Sequence, residues 1–230
     1  MSLATNNYAA NRGECLQPCR RQYRVIDEST NEELRMDNNF IMSPRDLCMI
    51  GSMDKLIQAG ATVFKIEGRG RTSDYVHYTT RAYREAIDSY YEGSYTLDKI
   101  KVWTNQLEKV YNRGFWHGGY YLGKKLGEWA GAYGSLAKKQ KTHTGFVINY
   151  YKKNHVAQFR IESQSIKVGD TIAVTGPTTG YEEQTIQSIY IDDKPAKRAV
   201  RGDFVTIPFN ALVRKNDKLI LIHDRNNWQS

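Results

Sequence analysis

Apolar positions along this 230-residue chain follow two rhythms. Up to about residue 111 they recur every three or four positions, the spacing of one helix face. From about Thr144 they come in short runs separated by turn residues, the pattern of strands. Leu47, Ile50, Met53, Leu56 and Ile57 keep the helical rhythm. Ser43-Pro44 supplies their start, with Ser at the N-cap and Pro at the first helical position. Gly60 ends that helix. Val76, Tyr83, Ile87 and Tyr90 predict a second helix, capped by Ser73 and stopped by Gly93. Ile100, Trp103, Leu107, Val110 and Tyr111 predict a third, capped by Thr96 and closed by Asn112-Arg113-Gly114. Between the first two, Ala61-Thr62-Val63-Phe64-Lys65-Ile66 reads as a buried strand, followed by the loop Glu67-Gly68-Arg69-Gly70-Arg71. A helix, strand, loop and helix in that order make the end of an α/β unit.

The strand-like texture appears twice. Tyr23–Asp27 and Leu34–Met42 read as two short strands around the turn Ser29-Thr30-Asn31-Glu32. In the last third, Gly145–Tyr151, His155–Glu162, Thr171–Thr175, Gln184–Ile191, Asp203–Pro208 and Lys218–His223 are β-rich runs. Gly169-Asp170, Gly176-Pro177, Asp192-Asp193 and Gly202-Asp203 punctuate them. Six short strands at such spacing predict a small antiparallel barrel. Phe115–Gly134, rich in Gly and aromatics, reads as irregular. The expected class is therefore α/β plus all-β, in three parts: residues 1–93, a helical and irregular linker over 94–140, and a β-barrel domain over 141–230.

Charge changes the picture. Residues 1–92 carry 12 Lys/Arg against 13 Asp/Glu, whereas residues 93–230 carry 21 against 12. A basic half favours a polyanion such as RNA, although a solvated face has the same composition. Phe115, Trp116, Tyr120, Tyr121, Trp129, Tyr133, Tyr150 and Tyr151 interleave with Lys124, Lys125, Lys138, Lys139, Lys141, Lys152 and Lys153. Cations hold phosphates and rings stack on bases, so these lysines are the candidate RNA contacts. The rings serve equally well as packing between domains. No run of eighteen apolar residues exists to span a membrane, and the first eight residues lack the basic flank and apolar core of a secretory signal. A cytoplasmic protein is expected. Cys15, Cys19 and Cys48 make a poor disulfide framework and suit buried or metal-binding thiols. His77, His117, His143, His155 and His223 show no metal-ligand spacing, and no Gly-x-Ser-x-Gly, His-Glu-x-x-His or Walker loop is present.

Several stretches taken together resemble peptidase family U32, the collagenase-like proteases. They are Asn11-Arg12-Gly13-Glu14-Cys15-Leu16-Gln17-Pro18-Cys19-Arg20 with Tyr23, then Ser43-Pro44-Arg45-Asp46-Leu47-Cys48, then Lys65-Ile66-Glu67-Gly68-Arg69. Tyr75-Val76, Tyr83-Arg84-Glu85-Ala86-Ile87-Asp88, Asn112-Arg113-Gly114-Phe115 and Gly118-Gly119-Tyr120 continue the match. The resemblance implies that residues 1–93 are the C-terminal remnant of a TIM-type (β/α) barrel. It implies that the last ninety residues form a small antiparallel barrel similar to domain two of elongation factor Tu. Met1-Ser2 matches the last two positions of the family's upstream Gly-x-Cys-x-x-Ser element, so earlier barrel strands are expected to lie outside this chain. Open strand edges and unpartnered apolar faces then predict that this chain alone dimerises, aggregates or leaves part of 1–93 loose.

The resemblance also implies chemistry. A late barrel strand would place Lys65, Glu67 and Arg69 at the C-terminal mouth, where such barrels act. Lys65 and Arg69 can clamp an anion, and Glu67 can exchange a proton; a structural ion pair is the alternative. Family members are believed to carry an iron–sulfur cluster on four cysteines. Cys15 and Cys48 match two of those positions, with Cys19 as the alternative to Cys15, and this chain alone is not expected to hold the cluster. The family includes proteins that hydroxylate bases in tRNA or rRNA, with prephenate implicated. RNA modification is the first reading. Peptide hydrolysis and a bare RNA-binding module are the alternatives.

Overall fold

The computed structural model describes residues 2–9, 12, 14–34, 39–68, 70–117, 129–132 and 134–225. Its contacts divide the chain into two units, Met1–Ala137 and Lys138–Ser230. Among the described residues no helix is long and apolar enough to cross a membrane.

The first unit holds helices α1 (Ser2–Asn6), α2 (Met53–Gln58), α3 (Ser73–Tyr91) and α4 (Leu97–Lys109). Two small ladders accompany them. β1 (Val25–Ile26) pairs antiparallel with β2 (Glu33–Leu34), and β3 (Asp46–Leu47) pairs parallel with β4 (Phe115–Trp116). Cys48, Ile50, Met53, Ala82, Ala86, Trp103 and Leu107 form the core. Ala82 and Ala86 lie one turn apart on α3 and are fully buried, so small side chains let neighbouring elements approach closely. Tyr95 stacks on Trp103 with centroids 5.9 Å apart, and Trp103 Nε1 donates to Glu85 Oε2 at 3.0 Å. Tyr95 also donates through its hydroxyl to the Ile50 carbonyl at 2.5 Å, tying the start of α2 to α4's N-terminal approach. α4, assigned by sequence to the linker, thus supplies Trp103 and Leu107 to the first unit's core.

Several expectations from the local pattern fail in this unit. The helix expected from Ser43-Pro44 begins only at Met53, after a 3-10 turn at Ile50–Ser52. Asp46 N–H donates instead to Gly114 O at 2.9 Å, and Cys48 N–H to Trp116 O at 2.8 Å. Pairing with a segment nearly seventy residues away overrides the local start signal. The buried strand expected over 61–66 is not formed: the segment has no ladder partner among the described residues, and Val63 is 85% exposed. An apolar run without a neighbouring strand leaves its backbone to water. Of the strands expected over 23–27 and 34–42, the described residues form the two-residue β1–β2 pair, and 35–38 lie outside the described residues. Ser73 is the first residue of α3, with Thr72 at the N-cap position and no side-chain cap bond. At α4 the expected cap is present: Thr96 Oγ1 accepts from Lys99 N at 3.4 Å.

The second unit is built of strands. They are β5 (Lys139–Tyr151), β6 (Val156–Ile161), β7 (Ile166–Lys167), β8 (Thr171–Gly176), β9 (Gly180–Thr185), β10 (Ile189–Ile191), β11 (Lys194–Ala196), β12 (Arg198–Ala199), β13 (Phe204–Pro208) and β14 (Lys218–Asp224). One eight-stranded antiparallel sheet runs β11-β10-β13-β6-β5-β14-β8-β9, and β12 pairs with β7. Val147, Phe159, Ile161, Ile172, Val174, Ile189, Val205, Ile207 and Leu219 meet in one core, although their strands span most of the sheet. The sheet therefore curls around its apolar face, as alternation of buried and exposed positions requires. Its hydrogen-bonded order ends at β11 and β9. The run expected over Gln184–Ile191 breaks into the end of β9 and β10. Gly145 is required where β6 approaches β5 closely: a Cβ there would stand 1.9 Å from the Arg160 carbonyl oxygen of β6.

Candidate functional site

Polar side chains of the first unit gather around Asp46 on β3. Arg113, just before β4, donates its backbone N–H to Asp46 Oδ2 at 2.9 Å and its guanidinium to Oδ1. Gly114, with φ of +79°, makes the turn that sets Arg113 beside β3. Arg71, entering α3, lies 4.0 Å from Asp46 Oδ1 and 3.9 Å from the centroid of the Tyr111 ring. Arg20 donates to Ser43 Oγ and Pro44 O, each at 3.2 Å. Burial, followed by the neighbouring Arg113 charge, lowers the Arg20 pKa. Three guanidiniums thus crowd one carboxylate, and Asp46, Arg71 and Arg113 are each largely shielded from water. Arg113 Nε is buried without a hydrogen-bond partner. The excess positive charge and a spare donor suit a carboxylate or phosphate, which guanidinium forks hold in bidentate fashion. Beside the cluster is a cavity of about 40 Å³ lined by Asp46, Cys48, Tyr75, Tyr83, Tyr111 and Phe115, among others.

The sequence-predicted site residues lie in different settings. Lys65 and Glu67 are exposed on the segment that forms no ladder, and Arg69 lies outside the described residues. Cys15 is exposed, with its Sγ accepting from Gln17 N–H at 3.4 Å, and Cys19 is half-buried. Cys48 is buried, and its Sγ accepts from the Tyr83 hydroxyl at 3.8 Å. Burial pushes the Cys48 thiol and the Tyr83 phenol up, which favours their protonated forms. Among the described residues no three His, Cys, Asp or Glu side chains come together to hold a metal. Three thiols are one fewer than the four thiolates that an iron–sulfur cluster takes.

Of the candidate RNA-contacting lysines, Lys138, Lys152 and Lys153 are exposed, and Lys124 and Lys125 lie outside the described residues. Lys139 is half-buried and pairs with Asp224 at 2.7 Å. Lys141 is half-buried on β5, and burial lowers its pKa to about 8 against the opposing pull of Glu183. The aromatic residues divide as well. Phe115 packs against the first unit's core, Tyr150 donates to Phe209 O at 3.1 Å, and Trp129 and Tyr151 remain exposed.

Comparison with known proteins decides the family. The sequence model of peptidase family U32 matches residues 1–131. The chain belongs to peptidase family U32. A Porphyromonas gingivalis protein named collagenase is 46% identical over 219 residues, covering 95% of this chain and 53% of that protein. A Methanocaldococcus jannaschii protein named an uncharacterized protease is 39% identical over 219 residues, covering 94% and 53%. A tRNA hydroxylation protein of Bacillus subtilis is 29% identical over 209 residues, covering 87% and 48%. This U32 chain spans about half the length of the curated relatives it matches. Among solved structures, the C-terminal domain of a Geobacillus thermoleovorans protein assigned to the U32 peptidases aligns with a TM-score of 0.33 at 18% identity, covering 34% of this chain and 96% of that domain.

Sequence reasoning singled out none of Arg20, Asp46, Arg71 and Arg113 as site residues. The signal was nevertheless present. Arg20, Asp46 and Arg113 each sit inside a stretch that carries the U32 resemblance, and Arg71 closes the loop behind Lys65–Arg69. Separate motifs of one family that hold polar residues are expected to converge when the chain folds.

Proposed function

We propose that this U32 chain is the RNA-engaging part of an enzyme that hydroxylates a base in tRNA or ribosomal RNA. The observation that carries the reading is the basic second unit, with 15 Lys/Arg against 9 Asp/Glu over 138–230. Lys138, Lys152 and Lys153 stand exposed on it. Relatives support the same direction: the Bacillus subtilis tRNA hydroxylation protein, and an Escherichia coli 23S rRNA 5-hydroxycytidine synthase 30% identical over 120 residues. In this reading the first unit is the end of a (β/α) barrel, and the second is a small antiparallel barrel resembling domain two of elongation factor Tu. Arg20, Arg71 and Arg113 receive the carboxylate of a prephenate-like acid or an RNA phosphate. Lys65, Glu67 and Arg69 are the residues proposed to hold an anion and exchange a proton in the whole protein. An iron–sulfur cluster would belong to the whole protein, with Cys48 and either Cys15 or Cys19 joined by thiolates from elsewhere. The cytoplasm is where such an enzyme meets its RNA.

Peptide hydrolysis is the second reading, favoured by the 46%-identical relatives named collagenase. One experiment separates the two. The chain is titrated with tRNA and rRNA fragments across a salt series, beside a variant with Lys138, Lys152 and Lys153 changed to Glu. Binding that falls steeply with salt, and is at least about tenfold weaker in the variant, is expected for phosphate contacts. No RNA binding, together with collagen-peptide cleavage by the full-length protein, would establish the peptidase reading instead.

A further inference from the structure

The sheet register brings four outward side chains of the second unit into one row. Phe204 on β13 stands opposite Arg160 on β6, Arg160 opposite Phe146 on β5, and Phe146 opposite Lys218 on β14. Their chain neighbours Val205, Phe159, Val147 and Leu219 are fully buried in the core. Side chains alternate across a strand, so the four in the row share the other face. The row reads aromatic, cation, aromatic, cation over four adjacent strands, roughly 14 Å at the usual strand spacing. Phe204 is 51% exposed, and the Arg160 guanidinium lies 6.0 Å from its ring centroid. Phe146 meets the His143 ring edge-on at 4.8 Å. Lys141, His143, Phe146 and Lys218 then line a cavity of about 290 Å³ with Ile220.

This row has no evident role in folding the unit, because the core is complete on the opposite face. Exposed aromatic area is costly in water, and interleaved cations make the strip unlike an apolar protein-docking patch. Rings that offer a face and cations at strand-to-strand intervals are what unpaired nucleotides use: bases stack and phosphates pair. Acidic groups border the strip. Asp192 and Asp193 line the cavity on the far side of Phe204, Glu162 lies 4.0 Å from His143, and Glu183 faces Lys141. Such a border confines a polyanion to the row and keeps it off the β10–β11 turn.

We propose that the Phe204–Arg160–Phe146–Lys218 row is a platform for single-stranded RNA. Bases stack on Phe204 and Phe146, and Arg160 and Lys218 hold the phosphates between them. The proposal rests on the RNA reading above and names the unpaired strand as the form that this unit takes. In a duplex each base is stacked between its neighbours, which covers both of its faces, so a duplex cannot use the rings.

The test measures fluorescence anisotropy of a labelled 12-nucleotide single strand, and of the same sequence annealed to its complement, with the whole chain. Phe204→Leu keeps apolar bulk but removes the stacking face, Phe204→Trp restores it, and Arg160→Gln removes a cation. The expected result is preference for the single strand, about tenfold weaker binding in Phe204→Leu and Arg160→Gln, and recovery in Phe204→Trp. Duplex binding by Phe204→Leu should not change. Thermal unfolding of each variant near the wild-type midpoint excludes loss of fold, as expected at an exposed ring. If both variants bind like the wild type while the Lys138, Lys152 and Lys153 variant loses RNA, the platform is wrong and the RNA reading survives. If the wild type binds neither strand form, both fall.

Discussion

Lys141 shows how one side chain links packing to function. It lies on the outer face of β5 beside the cavity that Phe146 and Lys218 share, half-buried, with its pKa lowered to about 8 mainly by burial. In the unfolded chain a lysine titrates near 10.4. Between those two values the unfolded state binds more protons, so folding stability rises with pH through that window. Below about pH 8 the charged lysine exacts its full cost, of order 2 kcal/mol after allowance for its partial exposure. Lys141→Met is therefore expected to be more stable than wild type at pH 7, by a margin that shrinks toward pH 10. Urea unfolding of both proteins at intervals over that range measures the margin, and a constant gap would contradict the burial argument. The basic block around Lys141 was legible in the sequence. Its half-burial was not, because charge count carries no information on which lysine faces a neighbour across the sheet.

At the scale of elements, the β5–β6 pair decides where the basic face points. Gly145 lets the Arg160 carbonyl approach to a distance that no side chain permits. In the regular register beside it, Phe146 stands opposite Arg160. Gly145→Ala must push the two backbones apart and is expected to destabilise the second unit by about 2–4 kcal/mol. Its thermal midpoint should drop by several degrees, with faster amide exchange at Phe146, Val147 and Arg160. An unchanged midpoint would show that the close approach of the two strands tolerates a methyl group. Among the helices, α3 and α4 were readable because long apolar periodicity and the Thr96 cap agree with their packing. The stretch 43–49 was misread, since a good helix start loses to the β3–β4 ladder when the partner segment returns from residue 115.

For the molecule as a whole, the two units differ in how far their backbones are satisfied. β5, β6 and β14 pair on both sides in the eight-stranded sheet, whereas 61–68 pairs with no strand among the described residues. Amides of Val63 to Ile66 are expected to exchange near the unprotected rate, while those of Phe159 and Leu219 exchange through global opening. Mass-resolved exchange checks this. Protection at 63–66 that appears only at high protein concentration would show that a second copy supplies the missing ladder. It would support the self-association expected from the apolar run. Protection at all concentrations would mean that the chain pairs the segment internally.

By itself the sequence determined that the first half carries helices and the second a strand-rich antiparallel unit, the sites of α3 and α4, most of the strands beyond residue 144 and the membership of family U32. Those features rest on local periodicity, turn residues and motif order, which need no partner to be read. Only the tertiary structure decided that 46–48 pairs with 115–116, that 61–66 has no strand partner among the described residues, and that Arg20, Arg71 and Arg113 gather at Asp46. It alone placed Phe204, Arg160, Phe146 and Lys218 in one row. These are contacts between residues far apart in the chain. They depend on strand register and on competition between ladder and helix, which a one-dimensional pattern does not record.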